Sequence, residues 1–170
     1  MPHWIDWEEA GGIRLRLIAR DTGLCAIEFN PGGPASGEPN QAHPVLQDAI
    51  QQLTEYFAGE RREFSLPLEI AGTAFQKRVW NMLLTIPYGE TCSYRNIATA
   101  LGTPSAVRAV GAANGANPLP IVIPCHRVIG SRGNLVGYGG GLPLKKRLLD
   151  LESGAGHGLC QPFSHSLSIT

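Results

Sequence analysis

Cys125 stands between Pro124 and the pair His126-Arg127, directly after the apolar run Ile121-Val122-Ile123. A cysteine nucleophile acts as its thiolate, and a neighbouring imidazole and guanidinium make an electropositive setting that favours that form. Because His126 is adjacent in sequence, its ring is expected to take the thiol proton through a bridging water. The plainer alternative is an inert core thiol beside a buried strand, a frequent fate of lone cysteines. Three polar residues wedged between that apolar run and Val128-Ile129 point instead to chemistry. A helix over 145–151 would bring Glu152 to where it can orient His126, and the glycine-rich LVGYGGG at 135–141 offers a flexible wall carrying one aromatic ring, Tyr138.

The elements that must position these groups are mostly helical. Pro124 cannot donate in a β ladder, so 121–123 reads as a short buried strand that stops there. Thr73 caps a helix through Phe75, Val79, Trp80, Leu83 and Leu84, halted by Pro87 and the Tyr88-Gly89 turn. Ser93 caps a second helix with Ile97, Ala98 and Leu101 on one face, ended by Gly102. Pro104 then opens a third over 105–113, where Ala106, Ala109, Val110 and Gly111 surround a single long cation, Arg108. Two short helices joined by a glycine-containing turn form a helix-turn-helix pattern. Small side chains on the second of them allow close approach to another backbone, with Arg108 as a probe.

The first half of the chain reads differently. IRLRLIAR at 13–20 alternates and LCAIEF at 24–29 is a short apolar run, together a β-hairpin. Residues 31–40 are turn-rich and read as a mobile surface loop, 44–58 as an amphipathic helix closed by Gly59, and 64–70 as a further strand. The boundary falls at Ala71-Gly72, giving domains at 1–71 and 72–153 and a tail over 154–170, expected to be disordered, with Cys160 an ordinary exposed thiol. Charge changes at the same place. Residues 1–71 hold five arginines against eleven acids, a net −6, and residues 72–153 hold nine Lys/Arg against three acids, a net +6. A basic half within a chain of zero net charge suggests that one domain alone meets a polyanion.

With 170 residues there is room for one ordinary domain or two small ones. No apolar run approaches the roughly 18 residues of a membrane span, and the acidic start MPHWIDWEEA lacks the basic region of a signal peptide. The four cysteines form no CxxC pair, which fits neither a disulfide framework nor a zinc finger. A cytoplasmic protein is expected.

Across 72–152 the chain strongly resembles the O6-alkylguanine-DNA alkyltransferases, the methylated-DNA–protein-cysteine methyltransferases. The resemblance rests on many motifs in one order: Thr-x-Phe-Gln with Val-Trp, Ile-Pro-Tyr-Gly-Glu-Thr, Ser-Tyr, Arg-Ala-Val-Gly, Asn-Pro, Pro-Cys-His-Arg-Val and Gly-Tyr-Gly-Gly-Gly-Leu. It implies an α/β (α+β) protein, with a small ribonuclease-H-like N-terminal domain and a C-terminal winged-helix-like domain containing the helix-turn-helix.

The resemblance also implies roles for single residues. Cys125 would be the alkyl acceptor, His126 the base, Glu152 the carboxylate that orients it and Asn117 the residue that holds the active-site turn. Tyr94 would donate to guanine N3. Arg108 would fill the base stack after the alkylated nucleotide is flipped out, with Ala106, Ala109, Gly111 and Ser93 along the DNA-facing surface. Pro120, Val128, Tyr138, Gly139 and Gly140 would line the pocket. The implied activity is a single, irreversible transfer from O6-alkylguanine, with O4-alkylthymine a further candidate, in double-stranded DNA entered from the minor groove, by a monomer without cofactor. Some relatives carry a zinc ion in the N-terminal domain. Here Cys25, His3 and His43 are the nearby candidates, and they show no ligand spacing, so no metal is expected.

Two other classes fit less well. A helix-turn-helix regulator without chemistry would need several polar side chains on its reading helix, where only Arg108 is offered. A thiol hydrolase would need a histidine from elsewhere in the sequence, and His157 and His165 lie in the tail.

Overall fold

The computed structural model describes residues 1–154 and the strand Gly158–Leu159. The chain divides into two compact units, Met1–Ala71 and Gly72–Thr170.

The first unit is a four-stranded sheet with one helix. β1 (His3–Glu8), β2 (Arg14–Arg20) and β3 (Gly23–Phe29) are antiparallel neighbours, and β4 (Glu38–Pro39) joins β1 in parallel, in the order β3-β2-β1-β4. Alternation in β2 sends Leu15, Leu17 and Ala19 to one face, where they are fully buried. Helix α1 (Pro44–Phe57) contributes Leu46, Ala49, Leu53 and Tyr56 to the same core, at the spacing of one helical face. On the opposite face of β2, Arg16 is buried because Asp6 takes two hydrogen bonds from it (2.6 and 2.9 Å) and the Trp4 ring lies 4.6 Å from its guanidinium carbon.

Two expectations for this half need correction. Residues 64–70 form no strand; they make a single bridge, Leu24 to Leu68, flanked by hydrogen bonds between Leu24 and Pro67 and between Glu69 and Leu24. Pro67 has no N–H to donate, so the ladder cannot extend. The turn-rich 31–40 segment is not wholly loop, since its end supplies β4 and pairs with His3 and Trp4.

The second unit is built on helices α2 (Ala74–Leu84), α3 (Tyr94–Ala100), α4 (Val107–Gly115) and α5 (Leu142–Ser153). Thr73 and Ser93 each cap the helix that follows with a complete capping box, closed by Gln76 and Asn96. Trp80 anchors α2 beneath α4 through Nε1 to the Ala113 carbonyl, 2.9 Å away. Gly72 is required there, because a Cβ would lie 2.5 Å from the Trp80 ring. Gly102, with φ +75°, makes the turn between α3 and α4.

A small parallel sheet, ordered β6-β5-β7, completes this unit. β5 (Glu90–Ser93) pairs with β6 (Val128–Ile129) and with β7 (Gly158–Leu159). Within the tail expected to be disordered, Gly158–Leu159 is therefore paired; residues 155–157 and 160–170, Cys160, His157 and His165 among them, lie outside the described residues.

The expected strand at 121–123 is instead a buried turn. Ile121 has φ +75°, Pro120 bridges to Ile123, and the Ile123 amide donates to the Leu119 carbonyl at 2.8 Å. Pro118, Pro120 and Pro124 remove three donors around the segment, so burial came without a ladder. A β-branched residue at positive φ is a strained position, and it lies four residues before Cys125.

Candidate active site

Cys125, His126 and Arg127 form one turn of 3-10 helix, between the buried 119–123 turn and β6. All three side chains are buried, His126 completely. Asn117 fastens the preceding turn at both ends: its Nδ2 donates to the Ile123 carbonyl at 2.8 Å and its Oδ1 accepts from the Leu119 amide at 2.9 Å. Cys125 is thereby fixed at the end of a rigid turn, its own amide donating to Ile123 at 2.7 Å.

His126 and Glu152 stand side by side. His126 Nε2 lies 2.7 Å from Glu152 Oε1, both groups essentially without solvent exposure. Burial by itself would raise the Glu152 carboxyl, but hydrogen bonds from His126 and Arg127 outweigh it and hold the group well below the usual carboxylate range. An ionised carboxylate only accepts, so Nε2 carries the proton and Nδ1 of the neutral ring is the basic atom. Nδ1 is buried and makes no hydrogen bond.

The resting charge state of the thiol departs from the sequence expectation. Burial pushes the Cys125 thiol up to about 11, with the Asn117 amide offsetting only part of the effect. Arg127, expected to help favour thiolate, is engaged elsewhere. Its Nε and Nη2 grip Glu152 at 2.8 and 2.9 Å, and Nη1 donates to the Ile86 carbonyl at 2.7 Å. Burial also lowers His126, the Glu152 carboxylate restoring part of the loss. Cys125 therefore rests as a neutral thiol beside a neutral imidazole. To act as a nucleophile it would have to lose its proton.

Tyr94, the first residue of α3, is half-buried, and its hydroxyl donates to the Val136 carbonyl at 2.9 Å. Burial and the neighbouring Cys125 raise its phenol, so it stays a proton donor. Lys145 of α5 is fully buried and donates to the carbonyls of Val136 and Gly137 at 3.1 and 3.2 Å. The Val136 carbonyl thus receives both side chains and moors the glycine-rich wall. Pro120 and Val128 are buried at the turn, whereas Tyr138 and Gly140 are half-buried and Gly139 exposed on the wall. Burial above all, with the nearby Glu152 carboxylate and Cys125 thiol acting in the same direction, raises the Tyr138 phenol well above its ordinary value.

Arg108 and Ala109 are exposed on α4, and Ala106, its N-cap, and Gly111 are partly so. Gly111 lies over the Tyr94 ring, where a Cβ would stand 3.9 Å from it. Ser93 spends its hydroxyl on the α3 cap, accepting from the Asn96 amide at 3.0 Å.

Arg127 and Lys145 were not assigned as site residues from sequence. Both left a signal. Arg127 lies within the polar triplet, and Lys145, Leu148 and Glu152 share one face of a helix whose other charges point outward.

A helix-turn-helix unit carrying a buried cysteine, with a carboxylate-held histidine beside it, defines a DNA-binding protein equipped for transfer to sulfur. Residues 74–154 match the family model described as 6-O-methylguanine DNA methyltransferase, DNA binding domain, and residues 14–70 match that of its ribonuclease-like domain. The methylated-DNA–protein-cysteine methyltransferase of Mycobacterium tuberculosis is 55% identical over 120 residues, 68% of this chain and 73% of that one. The constitutive Bacillus subtilis enzyme of the same name is 58% identical over 110 residues, 64% of this chain and 67% of its own. The crystal structure of Mycobacterium tuberculosis OGT in complex with DNA superposes with a TM-score of 0.83 at 45% identity, covering 89% of this chain and 93% of that one. The chain belongs to the methylated-DNA–protein-cysteine methyltransferase family, with the α/β fold of a ribonuclease-like domain followed by a helical DNA-binding domain.

Proposed function

We propose that this protein repairs O6-alkylguanine in double-stranded DNA by moving the alkyl group irreversibly onto Cys125. Methyl transfer from O6-methylguanine to cysteine is the activity of its family, and one observation singles out the acceptor: among the described residues, Cys125 is the thiol beside a histidine locked to a carboxylate at 2.7 Å.

The geometry supports a single displacement. The Cys125 proton passes through a water to Nδ1 of His126, and the imidazolium that forms is stabilised by Glu152. Sulfur forms a bond to the alkyl carbon as the carbon–O6 bond breaks, and that electron pair stays with guanine. Tyr94, exchanging its hydrogen bond with Val136 for one to guanine N3, offsets the charge that develops on the leaving base. A hydrogen-bond donor of this kind contributes about 3–4 kcal/mol in well-studied cases. The thioether product has no facile hydrolytic route, so each molecule acts once.

A lesion in a duplex must leave the stack to reach a buried thiol, at a cost of a few kcal/mol. The exposed Arg108 on small-sided α4 suits entry from the minor groove, where it fills the gap and Ala106, Ala109, Gly111 and the Ser93 turn lie close to the backbone. Pro120, Val128, Tyr138, Gly139 and Gly140 line the receiving pocket. The open glycines leave room for alkyl groups beyond methyl, and O4-alkylthymine is a second substrate to assay. The protein works as a monomer, in the cytoplasm with its DNA, and the transfer needs no cofactor.

Cys125→Ser removes the nucleophile and almost no volume. It should abolish transfer and retain DNA binding; transfer that survives would move the acceptor to another residue.

A further inference from the structure

Strand β7 is held by two residue pairs. Gly158 and Leu159 lie opposite Glu90 and Thr91 of β5, in parallel. Glycine brings no side chain to such a pairing, and a strand this short needs other support to stay docked. On its other edge β5 meets β6, with Cys92 opposite Val128 and Ser93 opposite Ile129. Cys92 is therefore a central residue of this small sheet, 4% exposed, and it immediately precedes Ser93 and Tyr94. The repair reaction makes no use of its sulfur.

Cys92 is disulfide-bonded. The chain has four cysteines, and Cys25 and Cys125 are free thiols. Cys160 is what remains. Strand register leads to the same residue: Gly158 faces Glu90 and Leu159 faces Thr91, so one further step sets position 160 against Cys92. Neighbouring strands run about 4.8 Å apart, within the span of roughly 4.4–6.8 Å between Cα atoms that a disulfide bridges. Elimination and register are independent, and they agree. The expectation of no disulfide framework rested on the absence of a CxxC pair, which is blind to cysteines brought together by strand pairing. Cys160 itself lies outside the described residues.

We propose that Cys92 and Cys160 form a redox-responsive disulfide that clamps the C-terminal strand onto β5 and spares Cys125. Disulfides in a reducing cytoplasm, the location proposed above, are as a rule transient and redox-sensing. The pair therefore closes under oxidising conditions and opens again on reduction. On closing, the two thiols give up two protons and two electrons as the sulfur–sulfur bond forms. A low-molecular-weight disulfide such as glutathione disulfide takes them up and leaves as two small thiols, by way of a mixed disulfide. The clamp joins the chain beyond Glu152 to the strand that leads into Tyr94. Cys125 stays out of this exchange. It is buried, and its thiol, pushed up to about 11, carries almost no thiolate at neutral pH to attack an oxidant.

The test treats the full natural chain with glutathione disulfide, beside the same chain kept reduced with dithiothreitol and beside Cys160→Ser. Peptide mapping without reductant should show the Cys92 and Cys160 peptides joined, lighter by two hydrogens than their sum, and Cys125 as a free thiol. A disulfide closing a long loop stabilises mainly by restricting the unfolded chain. Oxidation should therefore raise the melting temperature of the natural chain by about 5 °C or more, reversibly, and leave that of Cys160→Ser unchanged. The comparison of oxidised with reduced natural chain needs no variant, so it stands if Cys160→Ser folds poorly. None of these readings depends on alkyl transfer. A Cys92 that stays a free thiol or links to another cysteine, oxidation of Cys125 ahead of the pair, or equal melting temperatures in the two states would overturn the clamp.

Discussion

Arg127 holds both oxygens of the Glu152 carboxylate, Nε at 2.8 Å from Oε2 and Nη2 at 2.9 Å from Oε1, while Nη1 reaches the Ile86 carbonyl. The residue that follows His126 in sequence thus fixes the carboxylate that His126 contacts. One bidentate pair joins the 3-10 turn to α5 and orients the imidazole between them.

Removing Arg127 should therefore destabilise the protein as well as slow it. Arg127→Ala takes from a buried carboxylate its charged, bidentate partner, and breaking such a pair from one side costs about 3–5 kcal/mol. Chemical denaturation of the variant measures it. A loss below about 1 kcal/mol, typical of an exposed pair, would show that the pair contributes little.

The same pair predicts how stability depends on acid. The folded Glu152 carboxyl is held below its ordinary 4.5, so its contribution is complete above that pH and is lost as pH falls beneath it. His126 is held below its ordinary 6.5, so unfolding takes up a proton in mild acid and weakens the fold there as well. Stability, measured by denaturation, should fall more steeply between pH 4.5 and pH 3 for the natural protein than for Glu152→Gln. Parallel curves would contradict the assignment.

Transfer itself should be insensitive to pH through neutrality. His126 is already a neutral base there, and the Cys125 thiol, at about 11, is far from ionising unaided. The single-turnover rate should fall only below the usual imidazole range. Glu152→Gln should lower the neutral rate by roughly a hundredfold, within what general-base catalysis contributes. A rate that climbs tenfold per pH unit from 7 to 9 in the natural protein would mean that solvent, and not His126, removes the proton.

How much of this was legible in the sequence depends on the kind of interaction. Helix starts were plain because Thr73 and Ser93 carry their own caps, and Cys125, His126 and Glu152 were legible as a set. The 121–123 turn was not, since three buried β-branched residues look alike in a strand and in a turn held by prolines. β1 was missed because HWIDWE offers weak alternation and gains its order from pairing with β2. The role of Arg127 was hidden for a related reason: adjacency to Cys125 suggested a charge acting on the thiol, and only the arrival of α5 shows where the guanidinium is spent.

Arg108 makes a prediction that separates base extrusion from chemistry. Arg108→Ala should slow repair of a duplex lesion by about tenfold or more, the equivalent of roughly 1.4 kcal/mol of lost support for the extruded state. Reaction with a free alkylated guanine base should be nearly unchanged. Equal losses on both substrates would contradict its role in the base stack.

The most direct test of the central claim is to mix the protein with duplex DNA containing one O6-methylguanine, weigh the intact chain and map the modified peptide. The prediction is a gain of one methyl group per molecule, located on Cys125, with no second turnover when lesion DNA is in excess. A modified peptide that excludes Cys125, or repeated turnover of excess lesion by unmodified protein, would contradict it.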